Sequence, residues 1–517
     1  MCTRWEAASR PLEGRPTVDG DLAAKIGQPE ARGPLYAARV QVYPAAVRGR
    51  VRSVKWAILV VCLALYYVVP WLRWDRGPGL PNQAVLVDLQ GMRLYFFGLE
   101  IWAQEFYFVT FLMVLSAIGL FAVTSLFGRV WCGFACPQTV WTDLFMWVER
   151  LIQGDRNARM RLDRAPWTRE KYLKKGATHA AWLLIAAATG GAWVMYYNDA
   201  PTVVRELATA QASASVYFFF GLFTLTTYGL AGWAREQVCT YMCPWPRFQA
   251  AMFDDNTMIV SYRPWRGEPR GRHKAGSGWE GHGDCVDCRQ CVNVCPTGID
   301  IRDGVQMECI GCGLCVDACN AIMDKVERPR GLIGFETLAN LDASAAAVAA
   351  IPAGPARFAP GMKVRRGINL LRGRTLAYAA ALVLVSGVIL GAMALRTTLD
   401  LSVQRDRAPL FVRLSDGGVR NAYTMKLLDR RRGGGTVVLE IAGLPGAHLS
   451  VIGAETDAQG RPVLPTRADG VVSWRALVTV PGDAAPQGSR DISFRLLDPD
   501  GKRVADHESA FVGPGRP

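Results

Sequence analysis

Residues 285–319 read CVDCRQCVNVCPTGIDIRDGVQMECIGCGLCVDAC. The cysteines follow C-x2-C-x2-C-x3-C, thirteen residues intervene, and the same spacing returns. Two-residue spacers let three thiolates curl around one face of an iron–sulfur cubane, and the fourth cysteine of each run reaches the other cluster. The spacing therefore predicts a bacterial-type ferredoxin segment holding two 4Fe–4S clusters. Cys285, Cys288, Cys291 and Cys319 are expected on one, and Cys309, Cys312, Cys315 and Cys295 on the other. Pro296 follows Cys295 as the pattern asks, whereas Asn320 stands where the second proline would be. That departure alters a turn, not the ligand set. Zinc ribbons use four ligands in two pairs, not eight in this rhythm, and disulfides do not suit a reducing compartment. No convincing G-x-G-x-x-G joins a strand to a helix, so electrons must come from a separate, unidentified donor.

Half of the 517 residues are apolar, and five stretches reach the roughly 20 apolar residues a membrane helix needs. They are 53–73, 106–127, 177–197, 214–234 and 375–395. Trp56, Trp71, Trp74, Trp193, Tyr196 and Trp233 stand near their ends, where aromatic residues anchor at the interface. The third and fifth runs are rich in alanine and glycine and resemble buried soluble helices more than the others do. No cleavable signal sequence is visible, so the first run is expected to be an uncleaved anchor. The net charge of +14 is explained by its placement and calls for no nucleic acid. Loop 128–176 carries ten basic residues, among them Arg129, Arg159 and Lys171, while loop 198–213 carries only Arg205. The positive-inside rule then puts the N-terminus, 128–176 and 235–374 in the cytoplasm and the C-terminal part in the periplasm of an inner membrane.

Four more cysteines form two matched pairs. GRVWCGFACPQ holds Cys132 and Cys136, and AREQVCTYMCPWP holds Cys239 and Cys243. Both are C-x3-C-P, each follows a span that returns to the cytoplasm, and the second follows the first by 107 residues at both cysteines. This reads as an internal repeat of a hairpin ending in a thiol pair. Pro137 and Pro244 break the helix before them and suit the first turn of the next. After Pro137, the residues Val140, Trp141, Leu144, Phe145, Trp147, Val148, Leu151 and Ile152 line one face, as in a helix lying on the membrane surface. Soft thiolates select Cu(I), zinc or iron–sulfur centres. The alternative is small cysteines packing helices, and whether the four converge is open at this level. Cys62, mid-span, reads as a small buried hydrophobe, and Cys2 is assigned nothing. Among five histidines only His179 lies in or near a span, so a bis-histidine haem cannot readily be built, and His179 reads as an interface residue.

Residues 396–517 contain no cysteine. Runs such as TVVLEIAG, VVSWRALVTV and DISFRLLD alternate and are separated by turn residues, as in an immunoglobulin-like β-sandwich. The expected order is a tail over 1–52, a four-helix membrane region over 53–234, the ferredoxin-like domain over 235–340, a linker over 341–374, a fifth span over 375–395 and the sandwich over 396–517. The fold class is an α-helical membrane protein with an inserted two-cluster ferredoxin domain and a C-terminal Ig-like domain.

Taken together, YAARVQVYPAAVRGRVRSVKW, WCGFACPQTVW, CTYMCPWPRFQ, the paired clusters and KVERPRGLIGFET resemble the cytochrome c oxidase accessory proteins called CcoG, FixG or RdxA. The resemblance covers nearly the whole chain. It implies a cupric reductase, Cu(II) to Cu(I), serving the copper supply and assembly of cbb(3)-type cytochrome c oxidase. The partners it implies are copper-export ATPases, copper chaperones and the oxidase itself. Cys132, Cys136, Cys239 and Cys243 are then the expected copper-facing site, fed by the ferredoxin segment, unless they bind a further redox centre. The rival readings are a quinol-linked respiratory electron-transfer subunit and a non-enzymatic assembly scaffold.

Overall fold

The computed structural model describes residues 41–514 apart from 78, 274–278, 280, 351–369, 432–433 and 468–469. Cys2 and most of the expected linker lie outside the described residues. The chain forms two compact units, one up to Gly387 and one from Val388.

In the first unit α1 (Arg50–Val68) leads to a short antiparallel sheet of β1 (Val85–Asp88), β2 (Arg93–Phe96) and β3 (Leu99–Trp102). That sheet is absent from the sequence reading, although VLVDLQGMRLYFFGLEIW alternates about Gly91 and Gly98. Next come α2 (Tyr107–Phe127), α3 (Pro137–Gln153), α4 (Arg156–Arg164), α5 (Arg169–Met195), α6 (Ala200–Ala208), α7 (Ala214–Thr227) and α8 (Trp245–Met252). The ferredoxin segment is framed by β4 (Met258–Tyr262) pairing antiparallel with β5 (Ile333–Thr337), with α9 (Leu314–Lys325) between them. Helices α10 (Leu338–Ala349) and α11 (Gly373–Ala394) follow, so the start of the expected linker is helical.

Five helices are long and apolar enough to cross a membrane: Arg50–Trp71, Ala103–Phe127, Arg169–Met195, Ala214–Ala234 and Gly373–Ala394. All five expected spans are there. The third is the best packed, with 44% of its apolar window buried, and its small residues explain why. Thr189, Gly190, Gly191 and Ala192 are buried. A Cβ on Gly190 would stand 2.6 Å from the Phe220 carbonyl oxygen of α7. Small side chains let two membrane helices approach closely, so the composition that made this run look soluble is its packing face. Thr189 is also a polar hub. Its hydroxyl is bonded by Tyr67 Oη at 2.7 Å and Trp141 Nε1 at 2.9 Å, and Tyr66 Oη donates to its carbonyl at 2.9 Å.

Two expectations need correction. Helix α3 does not present one apolar face to a membrane surface. Val140, Phe145 and Val148 are buried, Phe145 and Val148 against Trp182, Ala186 and Ala231, while Trp147 and Leu151 are exposed. The charged Asp143 and Glu149 are buried as well. Residues 41–49, within the expected tail, pack on the ferredoxin segment. Ala45 N donates to the Asn293 carbonyl at 2.8 Å, and Ala45 and Val47 pack beside Val294 and Leu314 of the ferredoxin segment. Cys62 is only half-buried, against the expectation of a buried residue.

The second unit is a sandwich of two antiparallel sheets. One runs β10 (His448–Val451), β13 (Gly470–Val480), β8 (Val419–Asp429), β6 (Leu399–Arg405), with β7 (Val412–Arg413) also on β8. The other runs β11 (Glu455–Thr456), β12 (Pro462–Thr466), β9 (Gly435–Ala442), β14 (Ser489–Leu497), β15 (Arg503–Val512). Alternate residues point inward, so Tyr423, Met425, Val437, Leu439, Phe494 and Phe511 form one core. The three runs marked in the sequence are β9, β13 and β14.

Candidate iron–sulfur site

The structure gathers the eight ferredoxin cysteines into two neighbouring groups. Cys319 has Cys291, Cys285 and Cys288 as its electrostatic neighbours. Cys309, Cys312 and Cys295 surround Cys315 most closely. Helix α9 makes the exchange, because Cys315 and Cys319 lie one helical turn apart on it and face different sets. Asn320 continues that helix where proline would break it, and its Oδ1 accepts from Gly331 N at 2.8 Å. An apolar shell of Val260, Tyr262, Ile301, Val316, Met323 and Ile333 packs around five of the ligands. Burial pushes the Cys319 and Cys309 thiols up to about 12 and Cys291 to about 11. Bare thiols here would stay protonated at neutral pH, so iron would replace their protons. Ahead of Cys285, the fully buried Asp284 is gripped by Arg266 and Arg328, which fixes the entry to the first set. The donor set, its exchange pattern and its apolar shell all fit two cubanes.

The C-x3-C-P pairs form a third set. In both, the residues over C-x3-C make a π turn, Trp131–Ala135 in one and Val238–Met242 in the other. The second cysteine of each is extended, and its N–H closes the turn at 2.8 Å, Cys136 to Trp131 and Cys243 to Val238. Single π turns concentrate at functional sites. The two hairpins bring their thiols together: Cys136, Cys239 and Cys243 all act electrostatically on Cys132. The sequence left that convergence open. Burial raises Cys132 to about 12 and Cys239 to about 11, and Cys132 Sγ donates to Gln249 Oε1 at 3.3 Å. Of the twelve cysteines in the three sets only Cys288 and Cys243 are exposed, one in the first set and one in the third.

This third set abuts the second. Cys132 and Cys239 pack in one apolar cluster with Val294, Ile310 and Cys312. A Cβ on Gly133 would lie 2.9 Å from the backbone N and Cα of Cys312, so only glycine permits this contact. From the other side Gly311, at φ +70°, leaves room for the Arg129 backbone. Two cations stand between the sets. Arg129 acts on both Cys132 and Cys309, and Lys55 on both Cys239 and Cys312. In addition, Asp317 of α9 accepts the backbone N–H groups of Val51 at 3.3 Å and Arg52 at 2.7 Å. It thereby caps α1 from within the ferredoxin segment. Arg129, Lys55 and Gln249 escape sequence reasoning because none lies in a spacing motif, and Gly133 and Asp317 because they fill the unspecified positions within one; Arg129 reads there as one loop charge among ten. His179 is bonded to Tyr228 Oη at 2.9 Å through Nδ1 and belongs to helix packing, as expected.

Fold and site together define a membrane iron–sulfur electron-transfer protein. Family models agree: residues 234–338 match a "4Fe-4S dicluster domain", 109–155 a "4Fe-4S binding domain", and 389–514 an "IG-like fold at C-terminal of FixG". The chain is 47% identical to "Nitrogen fixation protein FixG" of Rhizobium meliloti (strain 1021), covering 95% of this chain and 96% of that one. It is 46% identical to "Protein RdxA" and 45% to "Protein RdxB" of Cereibacter sphaeroides, covering 93% of this chain and 99% and 98% of theirs. It belongs to the FixG/RdxA family.

Proposed function

We propose that this protein is a cupric reductase that supplies Cu(I) for the assembly of cbb(3)-type cytochrome c oxidase. The observation that carries the reading is the contact of the third thiol set with the Cys312 loop, together with the exposure of Cys243. Bound iron–sulfur clusters supply one-electron transfer; one electron turns Cu(II) into Cu(I), and a low-potential one-electron carrier restores the reduced state. Cys285, Cys288, Cys291 and Cys319, and Cys309, Cys312, Cys315 and Cys295, are the residues that would hold the two ferredoxin clusters. Cys288 is where the donor would reach the chain. Cys243, in the copper-facing set with Cys132, Cys136 and Cys239, is where Cu(II) would meet it, and thiolate favours the soft Cu(I) product. The exposed thioether of Met242 beside it adds a second soft donor. Copper-export ATPases and copper chaperones would take the product onward to the oxidase. In the bilayer of an inner membrane, the N-terminus and the ferredoxin segment would face the cytoplasm and the sandwich the periplasm.

Anaerobic single turnover tests this. The protein is reduced, excess reductant is removed, and Cu(II) is added with a Cu(I)-specific chelator. Cluster reoxidation matched one-for-one by Cu(I) is the expected result. Clusters that stay reduced would overturn it.

A further inference from the structure

We propose that Cys132, Cys136, Cys239 and Cys243 together hold a third 4Fe–4S cluster, half of it supplied by each membrane hairpin. The inference departs from the copper-facing role given above to these thiols: bound to iron they would not be free to hold Cu(I), and copper would be reduced at the exposed Cys243 edge of the cluster. Its first support is arrangement. Cys132 of one hairpin and Cys239 of the other pack in one apolar cluster, against Cys312 of the second ferredoxin set.

The second support is local symmetry. Each C-x3-C forms the same π turn with the same closing bond and the same following proline. Two like half-sites facing one another suit a cluster with four equivalent iron corners, two for each pair. The stretch 109–155 that matches a "4Fe-4S binding domain" contains only Cys132 and Cys136. One pair cannot complete a cubane. Cys239 and Cys243 are the thiols that the fold places beside it.

Charge is the third support. Four thiolates give a cubane net negative charge. Arg129 is buried, at 7% exposure. Its guanidinium donates to the carbonyls of Met307, Cys309 and Pro246, while Nε has no partner. Glu308 acts on Arg129 electrostatically, and anionic clusters beside the guanidinium would further offset the cost of burying it. On loading, a cluster preassembled on a scaffold protein is passed by ligand exchange: four iron–thiolate bonds to the scaffold break as four form here, and the four protons lost by these thiols go to the released scaffold thiolates.

The test is made on the anaerobically purified full chain by iron and acid-labile sulfide analysis and low-temperature EPR of the reduced protein. Three cubanes predict about twelve irons per chain. Cys132→Ser and Cys239→Ser, one change in each hairpin, are each expected to remove about a third of the iron and one EPR component. The ferredoxin pair should remain. About eight irons in the unaltered protein, unchanged in both variants, would overturn the proposal, and so would loss of zinc or copper in place of iron. The unaltered protein decides even if a variant fails to fold. Because iron is counted without copper, failure here and failure of the copper reading are separate results.

Discussion

Gly133 shows how one missing side chain sets the relation between two thiol sets. Alanine normally favours a helical position over glycine by about 1 kcal/mol. Here its Cβ would stand 2.9 Å from the Cys312 backbone and the Gly311 carbonyl carbon, and overpacking costs about 1–3 kcal/mol. Gly133→Ala is therefore expected to lower thermal stability and to slow electron transfer between the second and third sets, measured by melting and by stopped-flow copper reduction. An unchanged melting temperature would mean that the loop shifts freely. Asp317 acts differently, since it meets two backbone N–H groups with two oxygens. Asp317→Ala should cost about 1–2 kcal/mol, as loss of a helix cap does. Asp317→Asn, which keeps one acceptor, should cost less. Equal losses in the two would show that charge rather than hydrogen bonding matters.

Helices α1 and α3 are joined by a buried ion network. Asp143 takes Arg52 at 2.7 Å and Lys55 at 3.4 Å, and all three side chains are nearly inaccessible. Removing the carboxylate leaves two buried cations, so Asp143→Ala should destabilise the membrane unit by about 3–5 kcal/mol. Burial works to raise the Asp143 carboxyl, but Lys55 and Arg52 outweigh it and hold it below the usual range. Its contribution is thus complete above the unfolded value of about 3.9 and fades as pH falls through the lower folded value. Unfolding in detergent should show the wild type losing stability below about pH 4 more steeply than Asp143→Asn, which has no such proton to take up. The neighbouring Glu149 binds Arg159 at 3.1 Å and Arg235 at 3.0 Å. Three of the loop cations that set the expected orientation, Arg129, Arg159 and Lys171, are buried in protein.

The sandwich has its own core and its own closed hydrogen-bond ladders, so it is expected to fold as an isolated fragment from Val388 and melt cooperatively. Phe494 is fully buried there, and Phe494→Ala should cost about 3–5 kcal/mol. That is a large share of the roughly 5–15 kcal/mol a domain has. In the full chain the same change should leave cluster EPR signals intact; their loss would show that the two units depend on each other. In the membrane unit, burial differs greatly between spans. The third is the most buried, and the apolar window of the fifth has no buried residue. At its start the fifth span is tied down through Arg372, which pairs with Asp254 at 2.5 Å.

Features that depend on spacing along the chain can be read from the residues alone. Eight thiols in two interleaved runs, five apolar stretches and the alternation of β9, β13 and β14 are each short-range patterns with one physical reading. The small sheet β1–β3 carried such a pattern too and was legible, though unread. Features that depend on which faces meet emerge with the packed fold. It joined two thiol pairs 107 residues apart into one set, laid Gly133 on the Cys312 backbone and placed Asp317 at the head of α1. It also turned Arg129 from a loop charge into a buried cation between two thiol sets. Spacing reaches only as far as one element, whereas these contacts arise from close packing between elements distant in the chain.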